Sequence, residues 1–198
     1  MGLYPPPTAQ GRRLIFLRRQ KMYIWIAIDV DDQVRELRSD AEKYVKKHLL
    51  TSSTLTLPFH ISLKISFEVP ASISRAVIND VRELFRGLKP FTVPVDGLQK
   101  SSNILWLIMK DCDKLSTIHS ALDKLLSEKY GVAQHQFDKE FIFHTSILIL
   151  DGDDHLDRAL ERLKALSAPT AFRAERVIIG TSLTGEAGTY TVDEEIPL

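Results

Sequence analysis

Two short segments hold the residues best suited to chemistry: Phe59-His60-Ile61-Ser62-Leu63 and Phe143-His144-Thr145-Ser146-Ile147. In each, a histidine stands two residues before a serine inside a run that reads as a β-strand. Strand side chains alternate between faces, so residues i and i+2 point the same way. Each segment therefore presents an imidazole beside a hydroxyl. Two such pairs brought face to face would set two proton-transfer groups and two hydrogen-bond donors around one small anionic group. Histidine, with an ordinary pKa near 6.5, serves as acid or base close to neutrality. These groups suit phosphodiester chemistry without a metal. One imidazole takes a proton from the nucleophile and the other gives one to the leaving oxygen, while Ser62 and Ser146 donate to the non-bridging oxygens.

His-x-Ser is a weak signal alone, since about one chance match is expected in a chain with six histidines. Its weight comes from the strands around it. Phe59, Ile61, Leu63, Ile65, Phe67 and Val69 alternate with His60, Ser62, Lys64, Ser66 and Glu68, a half-buried strand pattern. The alternation predicts His60, Ser62 and Lys64 on one polar face, which makes Lys64 a candidate substrate contact. In the second strand it puts Leu148 and Leu150 on the face of His144, as a histidine satisfied on a half-polar sheet face would also allow. His48, His119, His135 and His155 lack a hydroxyl two residues on and read as structural or solvent-facing.

The elements around these strands repeat. Residues 22–30 form a β run, Asp31-Asp32 start a helix that continues to about residue 49, and the first histidine strand comes next. A helix at 72–88 and a strand at 91–98, broken by Pro94 and ended near Gly97, close the unit. The series then restarts: a strand at 104–109, a helix to about Tyr130, the second histidine strand at 141–150 and a helix at 153–167. Strands at 172–182 and 189–196 end the chain. Strand–helix–strand–helix–strand thus occurs twice (about 22–98 and 103–198), with the histidines at matching places. The predicted fold is α+β: two antiparallel-sheet lobes around a central cleft, helices outside, as one bilobed domain over 22–198. Residues 1–21, with Tyr4-Pro5-Pro6-Pro7 and scattered basic residues, read as a flexible tail.

Composition narrows the options. The 198 residues suit one domain, and 26 basic against 26 acidic residues give a formal net charge of +0. That argues against the basic stripe that long nucleic acid requires. A nucleotide or an RNA end held by local charges fits better. The lone Cys112 excludes an intrachain disulfide and fits a reducing, cytoplasmic setting. No apolar run approaches a membrane span. No HExxH motif, cysteine cluster, P-loop or dinucleotide fingerprint is present, so no metal and no cofactor are expected. Asp151-Gly152-Asp153-Asp154 reads as a turn and helix cap. Tyr23, Trp25, Trp106 and Phe141 read as core residues, with stacking against a base as the alternative. A monomer is expected.

At these residues the chain resembles the 2H phosphoesterase superfamily, and within it the 2′-5′ RNA ligase-like (LigT-type) cyclic phosphodiesterases. MYIWIAIDVDDQVREL resembles the family's opening strand and helix, and FHISL and FHTSI its two motifs. GLQKSSNILWLIMKD resembles its glycine turn and following strand, and TYTVDEEIPL its closing strand. The resemblance implies His60 and His144 as the catalytic pair, with Ser62 and Ser146 binding phosphate oxygens. It also implies action on a 2′,3′-cyclic phosphate or a 2′-5′ phosphodiester end. Both hydroxyl positions are Ser where Thr is more usual, and Ile149 stands where many LigT-type members carry arginine. A non-catalytic module holding a nucleotide or RNA end in the same cleft is the alternative.

Overall fold

The computed structural model describes residues 20–198 apart from 57, 111, 151, 152, 167 and 187. All but the last two residues of the predicted tail, and the Asp151-Gly152 turn, lie outside the described residues. Lys21 already belongs to the first strand.

The chain runs β1 (Lys21–Asp29), α1 (Asp32–Lys47), a 3-10 turn (Ser53–Thr56), β2 (His60–Pro70), α2 (Ser74–Phe85) and β3 (Phe91–Ser101). It continues through β4 (Ile104–Met109), α3 (Asp113–Tyr130), a 3-10 turn (Gln136–Asp138), β5 (His144–Ile149), α4 (Asp153–Lys164), β6 (Ala171–Ala174), β7 (Arg176–Ser182) and β8 (Thr191–Pro197). The strands form two four-stranded antiparallel sheets, in the orders β2-β1-β7-β8 and β5-β4-β3-β6. This is the two-lobed α+β architecture expected.

Local chemistry accounts for the elements. The Asp31 carboxylate caps α1 by accepting from the Val34 N–H at 3.1 Å, satisfying one of the amides a helix start leaves free. Val34, Leu37, Ala41, Tyr44 and Val45 bury the inner face of that helix. Gly131 ends α3 in the left-handed region (φ 66°), where a side chain would be strained. Along β1, Ile24, Ile26 and Ile28 enter the continuous core beneath the helices. Trp25 and Ala27 face the other way, against Ile178 and Tyr190.

Three features depart from the sequence reading. The strand from Phe91 does not stop at Gly97. It runs to Ser101, pairing first with β6 (Phe91–Pro94) and then with β4 (Val95–Ser101). Pro94, which lacks an N–H to give, sits where one partner hands over to the other. The apolar run 172–182 breaks at Glu175 into two strands that join different sheets. Consequently the sheets do not coincide with the sequence halves, because β7 and β8 from the C-terminal half complete the sheet begun by β1 and β2.

Candidate active site

β2 and β5 are the outer strands of their sheets, so each leaves one edge unpaired. The segment before β2 joins them through a relay of hydrogen bonds. The Ile149 N–H donates to Ser52 Oγ at 3.0 Å, Ser52 and Thr54 hydroxyls lie 2.7 Å apart, and Thr54 Oγ1 donates to the Ile147 carbonyl at 3.2 Å. This polar stretch covers part of the β5 edge and holds the two histidine strands beside one cleft. The cleft, about 210 Å³, is lined by His60, Ser62, His144 and Ser146 together with Arg38, Thr54 and Phe59. Both predicted His-Ser pairs are thus brought together.

The two histidines are mounted alike. His60 Nδ1 donates to the Pro58 carbonyl at 2.6 Å, and His144 Nδ1 donates to the Ile142 carbonyl at 2.8 Å. A carbonyl only accepts, so both rings carry their proton on Nδ1 when neutral and leave Nε2 free. Each ring also lies on an indole from the neighbouring strand. The His60 and Trp25 centroids are 4.5 Å apart, and those of His144 and Trp106 are 4.3 Å apart. Burial moves both imidazoles below their ordinary pKa by disfavouring the charged form. His60 is lowered further by the charges of His144 and Arg38, while its carbonyl partner opposes the shift.

The strands share a second device. Asp29 stands opposite His60 and Ala27 opposite Ser62, but the next pair is Ile26 with Lys64. In the other sheet Ile108 faces His144 and Trp106 faces Ser146, and then Leu105 pairs with Leu148. Directly after the serine one extra residue, Leu63 or Ile147, has entered each histidine strand, and β2 takes a second irregularity between Lys64 and Phe67. Such a β-bulge interrupts the alternation and re-aims the side chains beyond it. From each histidine onward the burial runs half-buried, buried, half-buried, buried, buried, half-buried in both strands.

The bulge corrects the expectation for Lys64. Instead of standing beside Ser62 in the cleft, its side chain is turned inward and is only 2% exposed. Its ammonium donates to Asp123 at 2.6 Å and to Asp138. Leu148 is likewise fully buried, so it does not share the polar face of His144. His119 is a structural histidine, its Nδ1 donating to the Leu63 carbonyl at 2.7 Å. His119, Asp123 and Asp138 offer ligand atoms within 4.8 Å of one another, but the cation that meets both carboxylates is Lys64.

The sequence reading missed Arg38. The side chain is buried in α1, donates to the Thr54 carbonyl, and lies 4.8 Å over the Phe59 ring. A signal was present: position 38 falls between Leu37 and Ala41 in the apolar stripe of the helix, where a charge is costly unless it is engaged. Gly180 was missed too. A Cβ there would come within 2.4 Å of the Trp25 ring, so the glycine gives that indole its seat under His60.

Two edge strands, each offering an imidazole with a free Nε2 and a serine to a common cleft, define a two-histidine site on a duplicated α+β frame. The sequence family agrees. Residues 27–186 match the 2′-5′ RNA ligase superfamily, and the chain belongs to it, within the two-histidine phosphoesterases its motifs resemble. A candidate phosphoesterase of Bacillus licheniformis is 24% identical over 137 residues, covering 68% of this chain and 76% of that protein. Among solved structures, Escherichia coli LigT complexed with 3′-AMP superposes with a TM-score of 0.60 at 18% identity, covering 90% of this chain and 99% of LigT. Kluyveromyces marxianus Usb1 gives 0.55 at 16% identity, covering 92% and 100%. These structures share the fold. No helix among the described residues is long and apolar enough to cross a membrane.

Proposed function

We propose that the protein is a metal-independent phosphoesterase that acts on the 2′,3′-cyclic phosphate or 2′-5′ phosphodiester end of a nucleotide or RNA. The observation that carries this reading is the matched mounting of the two imidazoles, each tied at Nδ1 and free at Nε2. Nucleotide complexes of the similar folds, LigT with 3′-AMP and Usb1 with uridine monophosphate, support a nucleotide substrate.

In the hydrolytic direction one Nε2 takes a proton from water as the water oxygen attacks phosphorus. The other, protonated, gives its proton to the ribose oxygen as the P–O bond breaks. Burial holds both rings toward the neutral form, and the Arg38 charge adds to this at His60. The two rings divide the roles of base and acid between them. The hydroxyls of Ser62 and Ser146 make no hydrogen bond to the described residues and are free to donate to the phosphoryl oxygens, where charge grows in the transition state. The anchored Arg38 guanidinium adds a fixed positive charge beside the cleft.

Incubation with nucleoside 2′,3′-cyclic monophosphates in EDTA tests the reading. Conversion to a single phosphate monoester is expected, with loss in His60→Ala and His144→Ala. Binding without turnover would overturn it in favour of a nucleotide-binding module.

A further inference from the structure

Beside the phosphate cleft lies a second hollow of about 400 Å³. Ser62 and His144 line both, so the two adjoin at these side chains. The rest of its wall is apolar and largely aromatic: Ile65, Trp106, Phe137, Phe141 and Ile142, with one carboxylate, Glu140. The β2 bulge helps to make it. Where Lys64 turns into the core, Ile65 turns out to this wall, opposite to the simple alternation. Phe137 and Ile142 are 60% and 54% exposed. Two large apolar side chains left to water at the mouth of one concave site mark a place for a ligand.

The position restricts what that ligand is. Anything held there while a phosphate sits between His60 and His144 must be joined to that phosphate by a short link. It must also be flat and apolar on its faces, to lie against Trp106, Phe137 and Phe141. We propose that the hollow takes the nucleobase attached to the reacting phosphate, and that Glu140 makes it favour guanine over uracil. A carboxylate only accepts hydrogen bonds. Guanine offers two adjacent donors on one edge, whereas uracil flanks its single N–H with two carbonyl oxygens. This rests on the phosphoesterase reading of the adjoining cleft, but binding tests it separately.

The wall is also held in place. The turn carrying Phe137 ends at Asp138, whose carboxylate accepts from Lys64 and from the His135 N–H (2.6 Å). Lys64 is thus a positioning residue for the outer wall of this hollow rather than a group that meets the phosphate.

Two measurements decide the matter. In the first, kcat/KM is compared for guanosine 2′,3′-cyclic phosphate, uridine 2′,3′-cyclic phosphate and the base-free ribose 2,3-cyclic phosphate. The base-bearing compounds are expected to lead by at least about tenfold, guanosine first, since one base stacked on an aromatic ring contributes about that much. The Phe137→Ala/Ile142→Ala variant should erase most of that lead, and Glu140→Gln should narrow the guanosine-to-uridine ratio. Equal rates with and without the base, or equal loss on all three compounds in the double variant, would overturn the proposal.

In the second, guanosine 3′-monophosphate and ribose 3-phosphate are titrated by calorimetry into wild type and the double variant. Tighter binding of the nucleotide by about tenfold, lost in the variant, supports the base site even if no compound is turned over. In that case only the catalytic reading fails. Equal affinities overturn the base site whatever the turnover.

Discussion

Around His60 the imidazole lies on Trp25, which rests on Gly180 and meets the edge of Tyr190 at 6.4 Å between centroids. Around His144 the imidazole lies on Trp106, which lines the apolar hollow instead. The ring, its carbonyl tether, the serine two residues on and the bulge after it are the same in both places. The difference lies behind the ring. One residue after the histidine, Ile61 in β2 corresponds to Thr145 in β5. Four residues after it, the ion-paired Lys64 corresponds to Leu148. The parts that present the two imidazoles to the common cleft are held alike. The parts that only support them have diverged, one side toward a packed floor and a buried charge cluster, the other toward an open wall.

If presentation is shared and support is not, substitutions at the rings should cost most. His60→Ala and His144→Ala should each lower kcat by about 10²–10⁴-fold, the range for general acid–base groups. The double variant should lose little more than the worse single, because groups that act as a unit are not additive. Additive losses would mean that the two rings do not serve one step.

Next comes the position four residues on. Lys64→Met leaves Asp138, whose side chain is fully buried, with an unmatched charge. It should cost about 3–5 kcal/mol in urea unfolding, the range for breaking a buried pair. The matching Leu148→Met should cost less than about 1.5 kcal/mol, as a volume-conserving swap. Similar costs would show that the two supports are equivalent after all.

The floor under Trp25 gives the third test. Gly180→Ala forces the indole to shift and should cost about 1–3 kcal/mol, with a change in tryptophan fluorescence. Activity should fall as His60 loses its seat. Trp25→Leu in the same chain should recover the stability but not the activity.

Protonation tests both rings at once. Both folded-state pKa values lie below the ordinary 6.5. As pH falls below 6.5, the unfolded chain therefore binds protons that the folded chain resists. The contribution of neutral His60 and His144 to stability is complete above 6.5, and is lost as pH falls toward the folded values. Unfolding free energy measured from about pH 7.5 downward should show this slope, and it should flatten in His60→Gln/His144→Gln.

The smallest effect is expected one residue after the histidine. Thr145 is buried, and its hydroxyl has no partner among the described residues. Thr145→Val should therefore stabilise by about 1 kcal/mol, since an unsatisfied buried hydroxyl is replaced by a methyl of similar shape. A loss of stability would mean that the hydroxyl is engaged.

The order of amino acids was enough to set the period-2 pattern of the first histidine strand, the helical stripe of α1 and the helix stop at Gly131. It was also enough to show the likeness of the two histidine segments, from which the fold and the two His-Ser pairs could be read. Those features depend on neighbours within a few residues, where backbone geometry alone settles which side chains share a face. Features that depend on partners distant in the chain came only with the folded arrangement. Lys64 went inward because a bulge turned it and because Asp123 and Asp138, 59 and 74 residues on, were there to receive its charge. Gly180 matters only because β7 lies beside β1 and beneath Trp25. The run 172–182 reads as one strand, since nothing local marks Glu175 as the point where the chain leaves one sheet for the other. A bulge and a change of sheet are settled by how strands meet, and that information is shared between segments rather than written in either one.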